Sequence, residues 1–268
     1  MWYLSSNNRL DFISYYASNM VRYSMDGKTL TGTAYGPKIF EFGNAKINQW
    51  NQIKDLLLHK DRDSKRGFMQ IFDASELTIK NNIDVSCTLG LQFFVRENKL
   101  YTSSYMRAND AFRGMVSDVF SFTFIHEMMA KDLGLEMGYY FHNVGSVHVY
   151  EPDEKRSEVV LDEASNNPQN VNPEFTFPKL PDGNNWPFIE TVLQYEVLLR
   201  KDLIKLNIDE IQQLEIPEYW KQVLSLFSLY QNIKYKRPID MEIYNNLYPI
   251  YQFFVANKWP KLFNEILK

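Results

Sequence analysis

The stretch from residue 86 to residue 150 constrains the fold of this chain more than any other. Two apolar, aromatic-rich runs at residues 89–95 and 100–106 are joined by Arg96-Glu97-Asn98-Lys99, a polar turn of hairpin length. Residues 111–133 carry apolar side chains at helical spacing and stop before a glycine, and residues 139–150 return to a strand pattern. The stretch therefore predicts a strand hairpin, a helix and a further strand in succession.

The same stretch holds the residues best suited to chemistry. Cys87 begins the first strand and is the only cysteine of the chain, which excludes an intrachain disulfide. A lone free cysteine is most often a small buried apolar residue. A second interpretation is a reactive thiolate, because a thiol needs nearby positive charge and Arg107 lies on the partner strand. Arg107 and Asp110 stand at the strand-to-helix turn, and Asp118 is expected to face inward from the helix.

Composition narrows the classes of partner. With 268 residues, of which 45% are hydrophobic, the chain is long enough to bury a sizeable core. Its formal net charge of -4 gives no global basic field for nucleic acid or an anionic membrane. No run approaches the roughly 18 apolar residues of a membrane helix, and the first residues lack a secretory-signal pattern. We therefore expect a cytoplasmic protein that binds neither nucleic acid nor membrane.

The region before residue 86 predicts short elements. Residues 1–23 and 47–60 have the apolar spacing of helices, and residues 29–37 predict a loop from their glycines and proline. A polar loop covers residues 61–67 and, with the preceding Lys60, carries four basic residues; by itself it predicts an ordinary solvated surface. Residues 68–72 predict a short strand.

The region after residue 150 changes character. Residues 151–185 are rich in Asn, Pro and acidic side chains and predict a loop with an extended segment at 174–180. Apolar side chains at helical spacing then predict helices at residues 188–206, 217–235 and 241–267, the last with a bend at its internal proline.

Several motifs together resemble the catalytic half of the thymidylate synthase family, including its pyrimidine hydroxymethylase branch. They are Cys87, Gln92-Phe93, Tyr105-x-Arg107-x-x-Asp110-x-Phe112-x-Gly114, Ser121 and His148-x-Tyr150, preceded in the same order by Tyr35-Gly36 and Asp63-Ser64-Lys65-Arg66. The resemblance implies the α+β thymidylate synthase fold, a mixed β-sheet with flanking helices that forms a homodimer through the sheet. It also implies a catalytic domain at residues 1–183, and the helical pattern of residues 184–268 predicts a C-terminal extension that is not part of the family pattern.

The resemblance further implies a reaction and a role for each motif. Cys87 would add to carbon 6 of a pyrimidine nucleotide, so that carbon 5 attacks the one-carbon unit of the co-substrate 5,10-methylenetetrahydrofolate; no metal is implied. Arg107 would bind the phosphate and help to hold the thiolate, together with Lys65 and Arg66 of the other subunit. The remaining assignments are Asp118 and Tyr35 to catalysis, His148 and Tyr150 to the sugar, Gln92, Ala108, Asn109 and Ser121 to the nucleotide, and Asp110 and Gly114 to the folate. His59, His126 and His142 are interpreted as structural or surface residues.

Asp118 departs from the pattern of the synthases, which carry an asparagine that reads uracil at this position. Cytosine reverses the donor and acceptor pattern of uracil at N3 and at the exocyclic group, and a carboxyl group suits it better than an amide. Arg107-Ala108 replaces the usual Arg-Ser, and Lys65-Arg66 replaces Arg-Arg. These departures resemble the branch that hydroxymethylates CMP, so we expect CMP in preference to dCMP.

One further departure leaves an alternative open. The family carries a glutamate three residues before a motif that matches Trp2-Tyr3-Leu4, and the sequence has no residue at that position. From the departures at Asp118, Ala108 and Lys65, the expected function is a cytidylate 5-hydroxymethylase. The alternatives are a thymidylate synthase proper, or a relative that binds the nucleotide without turnover.

Overall fold

The computed structural model describes residues 1–166 and 176–264, and these fall into two compact units. The first unit holds residues 1–166 and 182–184, and the second holds residues 176–181 and 185–264. The division into domains at 183/184 stays a prediction, because compactness alone does not show that a part of a chain folds by itself.

A four-stranded mixed sheet lies at the centre of the first unit, with the strand order β1-β2-β3-β5. β2 is antiparallel to both of its neighbours, β1 and β3, whereas β5 is parallel to β3. A separate parallel pair is formed by β4 and β6. The strands are β1 (Phe68–Gln70), β2 (Thr88–Arg96), β3 (Lys99–Met106), β4 (Asn109–Asp110), β5 (Glu136–Val144) and β6 (Val147–His148). The α+β prediction with a mixed sheet is thereby confirmed.

The predicted hairpin joins β2 and β3 and is confirmed. Its turn residues, Glu97 and Asn98, both have positive φ angles, 50° and 61°, as a two-residue type I′ turn requires. This turn matches the right-handed twist of the strands that it connects. It fixes the register in which Thr88 at the start of β2 faces Met106 at the end of β3.

Helix α4 (Met115–Leu133) connects the parallel strands β3 and β5 and covers the inner face of the sheet. It ends at Gly134, whose φ of 63° lies in the left-handed region, so the predicted glycine stop is confirmed. The buried side chains of α4 include Phe122 and Met129, and β2 buries Leu91 and Phe93. Burial of a side chain of this size stabilises a fold by about 1.5–3 kcal/mol.

Two of the loop predictions are wrong. Residues 35–37 are not loop but the start of a helix, and residues 154–166 are helical rather than irregular. Proline is tolerated in the first helical turn because the N–H groups there have no intrahelical acceptor, so Pro37 does not end this segment. The helices of the first unit besides α4 are α1 (Leu10–Tyr16), α2 (Tyr35–Phe40), α3 (Gln49–Asp55) and α5 (Glu154–Asn166), with a π-helical continuation of α3 at Leu56–Lys60.

The second unit is helical, as predicted, but its helices are shorter than the predicted spans. Their bounds are α6 (Trp186–Arg200), α7 (Ile208–Gln212), α8 (Glu218–Lys234), α9 (Met241–Asn245), α10 (Pro249–Lys258) and α11 (Pro260–Asn264). They enclose a core that includes Leu199, Ile211, Leu224 and Ile243. Of the predicted extended segment, residues 176–180 lie in no strand, and residues 174–175 lie outside the described residues, as do residues 265–267 of the last predicted helix. None of the described helices is long and apolar enough to cross a membrane.

Candidate active site

Cys87 and Arg107 face each other across the hairpin. The backbone N–H of Arg107 donates to the carbonyl of Cys87 at 2.9 Å. The guanidinium group turns back along the same segment, where Nε donates to the carbonyl of Ser86 at 3.0 Å and Nη2 donates to that of Val85 at 3.1 Å. These bonds use two of the five N–H donors of the side chain, which is otherwise exposed. The arrangement holds a positive charge next to the thiol.

The Cys87 thiol is half-buried, and its pKa lies above the ordinary value for cysteine. Burial is the largest cause, because it disfavours the charged thiolate. The Arg107 guanidinium opposes this rise, whereas Asp118 and Asp84 add to it. The thiol is therefore protonated at neutral pH, and the positive charge of Arg107 only partly offsets the burial.

A buried polar cluster anchors the residue that precedes Cys87. Lys38 pairs with Glu76, and its Nζ donates to Ser86 Oγ at 2.5 Å. Glu76 in turn accepts from the backbone N–H of Ser86 at 2.7 Å, and Ser86 Oγ donates to the Gly32 carbonyl at 2.8 Å. Because both the backbone and the hydroxyl of Ser86 are held, the path of the chain into Cys87 is fixed.

Asp84 makes a second anchor, three residues before the thiol. Its buried carboxylate accepts from the backbone N–H groups of Thr31, Gly32 and Thr33 at 2.8–2.9 Å. The three donors belong to the loop that precedes α2, so this loop and the cysteine segment are joined by one side chain.

Asp118 lies in the first turn of α4, and its pKa is raised to about 6. Burial is the cause of the rise, and a hydrogen bond from the Asn109 side chain opposes it. The charge of Asp118 affects the pKa of Cys87 and of Tyr35, so the three side chains share one electrostatic environment. Asp118 thus faces inward, as expected, on the same side as the thiol.

Tyr35 is buried at the start of α2, and its hydroxyl lies 2.9 Å from Thr88 Oγ1 in a shared hydrogen bond. Burial raises the pKa of this phenol well above its usual range, with Asp118 as the next cause. The ring of Tyr3 stacks on that of Tyr35 at 4.8 Å. The phenol is therefore neutral at any physiological pH.

A connected set of polar side chains joins β3, β4 and β5. The register of the parallel strands pairs Ser104 of β3 with His142 of β5. His142 Nδ1 lies 2.6 Å from Tyr140 Oη and 3.1 Å from Ser104 Oγ, and its Nε2 lies 3.0 Å from Asn109 Nδ2. Asn109 also lowers the pKa of Asp118.

Asp110 and His148 are paired across β4 and β6. The Asp110 carboxylate accepts from the backbone N–H groups of Phe112 and Arg113 at 2.8 and 3.0 Å, so it also shapes the turn into α4. The rings of His148 and Tyr150 meet edge to face at 4.9 Å. Gly114 precedes α4, and a Cβ there would lie only 2.7 Å from Asn109 Oδ1.

Other predicted site residues lie farther along the sheet. Gln92 is in the middle of β2, where it accepts from the Tyr105 hydroxyl at 3.1 Å and donates to the Lys65 carbonyl at 2.9 Å. The exposed Lys65 and Arg66 thus lie beside the middle of β2 and not beside its Cys87 end. Ala108 adjoins Arg107, and Ser121 follows Asp118 by about one turn of α4. No cluster of three or more acidic, histidine or cysteine side chains suited to a metal ion occurs within residues 1–166 and 176–264.

Sequence reasoning assigned no role in the site to His142, Tyr140 or Ser104, or to the Lys38–Glu76 pair. One signal was available for the first three, because polar residues at inward positions of a strand that is otherwise apolar need partners. The Lys38–Glu76 pair carried no such local signal, since its members and Ser86 come from separate segments.

Comparison with known proteins identifies relatives of the first unit. The sequence model described as Thymidylate synthase matches residues 1–184. A deoxyuridylate hydroxymethyltransferase of Bacillus phage SP01 is 30% identical over 162 residues, which are 57% of this chain and 42% of that protein. A thymidylate synthase of Listeria monocytogenes serotype 4b is 26% identical over 152 residues, 52% of this chain and 47% of that protein. The chain thus spans about half the length of the curated relatives that it matches.

A solved structure supports the same relationship at the level of the fold. Thermostable thymidylate synthase A from Bacillus subtilis matches with a TM-score of 0.50 and 22% identity, over 59% of this chain and 57% of that one. This likeness confirms the predicted thymidylate synthase fold. Because the family match covers more than half of the residues, the chain belongs to the thymidylate synthase family.

Proposed function

We propose that this chain transfers a one-carbon unit from 5,10-methylenetetrahydrofolate to carbon 5 of a cytidine nucleotide and forms the 5-hydroxymethyl product. The observation that carries the proposal is the position of Asp118. A carboxyl group whose pKa is raised to about 6 lies near the proposed nucleophile, at the position where the synthases have an asparagine.

The chemistry divides among the residues of the site. The Cys87 sulfur forms a bond to carbon 6, and the electron pair of the 5,6 double bond becomes available at carbon 5. The folate supplies a one-carbon unit at the oxidation level of formaldehyde. After carbon 5 bonds to it and loses its hydrogen, tetrahydrofolate leaves, water adds to the exocyclic methylene, and the bond from sulfur to carbon 6 breaks. No external reductant is needed, whereas a synthase takes a hydride from the folate.

Protonation in the free protein sets a requirement for this reaction. The thiol of Cys87 has a raised pKa, so its proton must leave when the sulfur attacks. Arg107 stabilises the thiolate that results, and its remaining N–H donors are proposed to bind the nucleotide phosphate as a fork. Tyr35, a neutral phenol, is proposed to donate a hydrogen bond near the reacting base.

Base choice rests on Asp118. The O–H of a neutral carboxyl group can donate to N3 of cytosine while its C=O accepts from the exocyclic amino group. His148 and Tyr150 are proposed to hold the sugar, with Gln92, Ala108, Asn109 and Ser121 completing the nucleotide site, and Asp110 and Gly114 are proposed to face the folate. The substitution of Ala108 for serine removes a hydroxyl ligand and leaves space, which supports CMP over dCMP.

Tritium release tests this function. The full chain is incubated with folate co-substrate and with CMP, dCMP or dUMP that carries tritium at carbon 5. We expect release from CMP above dCMP, no release with Cys87→Ser, and a shift towards dUMP with Asp118→Asn. Nucleotide binding without release from any of the three would favour the non-catalytic alternative, and release from dUMP alone would refute a cytidine nucleotide as the substrate.

A homodimer through the outer face of the sheet is also proposed, and the exposed aromatic surface of that face supports it. Tyr139 is 73% exposed and Phe141 is 46% exposed on β5, and the ring of Tyr101 lies 6.0 Å from that of Tyr139. Contiguous apolar surface of this kind marks an interface. A second subunit there would bring its own Lys65 and Arg66 to the nucleotide.

Sedimentation measures the assembly. Tyr139→Lys should yield monomers, because it places a charge in the proposed interface. Since Tyr139 is exposed, the substitution should change the free energy of unfolding little. The control is Leu77→Lys, which changes an exposed apolar side chain elsewhere and should leave the dimer intact. A wild-type monomer at micromolar concentration would refute the dimer.

A further inference from the structure

Two backbone carbonyls hold the Arg107 side chain in one orientation. Its Nε–H donates to the Ser86 carbonyl at 3.0 Å, and an Nη2–H donates to the Val85 carbonyl at 3.1 Å. These two N–H groups are parallel and form one edge of the planar guanidinium group. A second pair of parallel N–H groups, on Nη1 and Nη2, lies at the tip of the side chain. Because Arg107 is exposed, a ligand can reach this tip from solution.

One of these carbonyls belongs to a peptide group that also contacts Glu76. The Val85 carbonyl and the Ser86 N–H are parts of the same trans peptide group, which is planar, so they point in opposite directions. The Ser86 N–H donates to Glu76 Oε2 at 2.7 Å. Glu76 and Arg107 therefore hold the same peptide group from its two sides.

The surroundings leave this peptide group little freedom to turn. Ser86 is fully buried, its Oγ donates to the Gly32 carbonyl at 2.8 Å, and a Cβ at Gly32 would lie 2.8 Å from the Ser86 nitrogen. Glu76 is buried as well, and its other oxygen, Oε1, accepts from the Asp73 N–H at 3.1 Å and pairs with Lys38. Each oxygen of the carboxylate thus has its own donors, so the carboxylate cannot rotate without breaking these bonds.

A fixed orientation matters for an arginine that binds a phosphate. A guanidinium fork matches a phosphate group only when two parallel N–H groups face two of its oxygens. An arginine that is ordered before the ligand arrives loses less conformational entropy on binding than a free one. The bonds to the two carbonyls order Arg107 in this way, and its backbone N–H donates to the Cys87 carbonyl at 2.9 Å, which keeps the residue beside the thiol.

We propose that Glu76 is a positioning residue for the nucleotide phosphate, because it fixes the peptide group between Val85 and Ser86 and thereby directs the tip of Arg107 towards the ligand. The inference rests on the proposed function in one respect, that Arg107 binds the phosphate. It assigns control of phosphate affinity to a buried carboxylate that acts only through its neighbours.

Two substitutions of Glu76 test the proposal. Glu76→Gln has one acceptor oxygen, which the Lys38 ammonium and the Asp73 N–H retain. The amide NH₂ then faces the Ser86 N–H, so the bond to the peptide group is lost. Glu76→Asp keeps a negative charge beside Lys38, so the counter-charge of the buried pair survives. Its side chain is shorter by one methylene group, which withdraws the carboxylate from the Ser86 N–H.

Asp132→Asn is the matched control. It also replaces a buried carboxylate, whose side chain is 1% exposed and accepts from Trp50 Nε1 at 2.8 Å. Asp132 lies in the last turn of α4, whereas Asp118 and Ser121 lie near the start of this helix. A general loss of stability would therefore appear in the control as well.

Two readouts separate positioning from a general loss of stability. Dissociation constants for CMP and cytidine are measured by calorimetry on the full chain, and their ratio reports the contribution of the phosphate. Hydrogen exchange of the Arg107 Nε–H is followed by NMR without any ligand, and the signal is assigned by its loss in Arg107→Leu. The exchange rate reports whether the guanidinium group is held.

In Glu76→Gln and Glu76→Asp we expect the preference for CMP over cytidine to fall by about tenfold, or about 1.4 kcal/mol, and the Arg107 Nε–H to exchange faster. Asp132→Asn should leave both readouts at their wild-type values. In an Arg107→Leu background, Glu76→Gln should change the preference by less than about twofold, because Glu76 acts through Arg107.

The outcomes separate the inference from the proposed function. If the wild type binds CMP no more tightly than cytidine, or if Arg107→Leu keeps the preference, the phosphate role of Arg107 in the proposed function is overturned. The exchange rate then still decides whether Glu76 holds the guanidinium group. If Arg107→Leu abolishes the preference but both Glu76 variants keep it, only the role of Glu76 is overturned. That role is also overturned if Asp132→Asn loses as much preference, or if Glu76→Gln has the same effect with and without Arg107.

Discussion

Removing one member of the buried pair Lys38 and Glu76 should destabilise the fold more than breaking an exposed ion pair does. Substitution of Lys38 by Met leaves the Glu76 carboxylate with its backbone donors but without its counter-charge. The two side chains are only 12% and 6% exposed, so water cannot replace the lost partner. Removal of one member of a buried pair costs about 3–5 kcal/mol, and we expect about 3 kcal/mol here because the Ser86 and Asp73 N–H groups still bind Glu76.

The effect should extend to Cys87, because Glu76 and Lys38 both hold the preceding residue, Ser86. The assay is labelling of the single thiol at increasing urea, which reports the opening of the unit that contains Cys87. Lys38→Met should shift the urea dependence of labelling to lower concentration. It should also speed labelling without urea, since the segment that leads into Cys87 loses one of its anchors.

The matched control is Lys99→Met, which breaks the exposed pair with Glu136, whose side chains are 46% and 78% exposed. Surface pairs contribute about 0–1 kcal/mol, so this variant should resemble the wild type. If Lys38→Met costs no more than Lys99→Met, the reasoning about burial is wrong. A double variant with Glu76→Gln should recover part of the loss, because the uncompensated charge is then removed.

Three further perturbations test the electrostatics and packing of the site. Alkylation of Cys87 should rise with pH around a midpoint above the usual thiol pKa of about 8.5, and Arg107→Leu should raise that midpoint, whereas an unchanged midpoint would contradict the role of Arg107. The pKa of Asp118 is about 6 in the folded protein, against 3.8 for the free group, so ionisation of the buried group costs no stability below pH 3.8 and destabilises the fold progressively from there to pH 6. Asp118→Asn should therefore raise the free energy of unfolding, measured with urea, by up to about 3 kcal/mol at pH 8 and should leave it unchanged at pH 3.5. Gly114→Ala should displace Asn109 and lower stability by about 1–3 kcal/mol, and an unfolding midpoint equal to that of the wild type would show that the contact relaxes freely.

The local sequence was enough to predict those helices and strands that short-range interactions determine. Alternation of apolar side chains and two turn residues that tolerate positive φ predicted the hairpin of β2 and β3. Helical spacing with a terminal glycine predicted α4. The motifs around Cys87 and Arg107 also predicted the thymidylate synthase family, because each motif depends on the identity of residues at short spacing. The start of α2 and the whole of α5 were missed where proline and polar composition outweighed helical propensity.

The sequence by itself therefore determined the order of the main elements, the proximity of Cys87 and Arg107, and the family to which their motifs point. Tertiary structure alone decided which polar groups support them. The parallel register of β3 and β5 sets Ser104 beside His142, and the Asn109 side chain then meets His142 from β4. The chain likewise brings Lys38, Glu76 and Ser86 together from three separate segments. Such contacts depend on strand register and on the packing of distant segments, and no short-range pattern in a sequence encodes either.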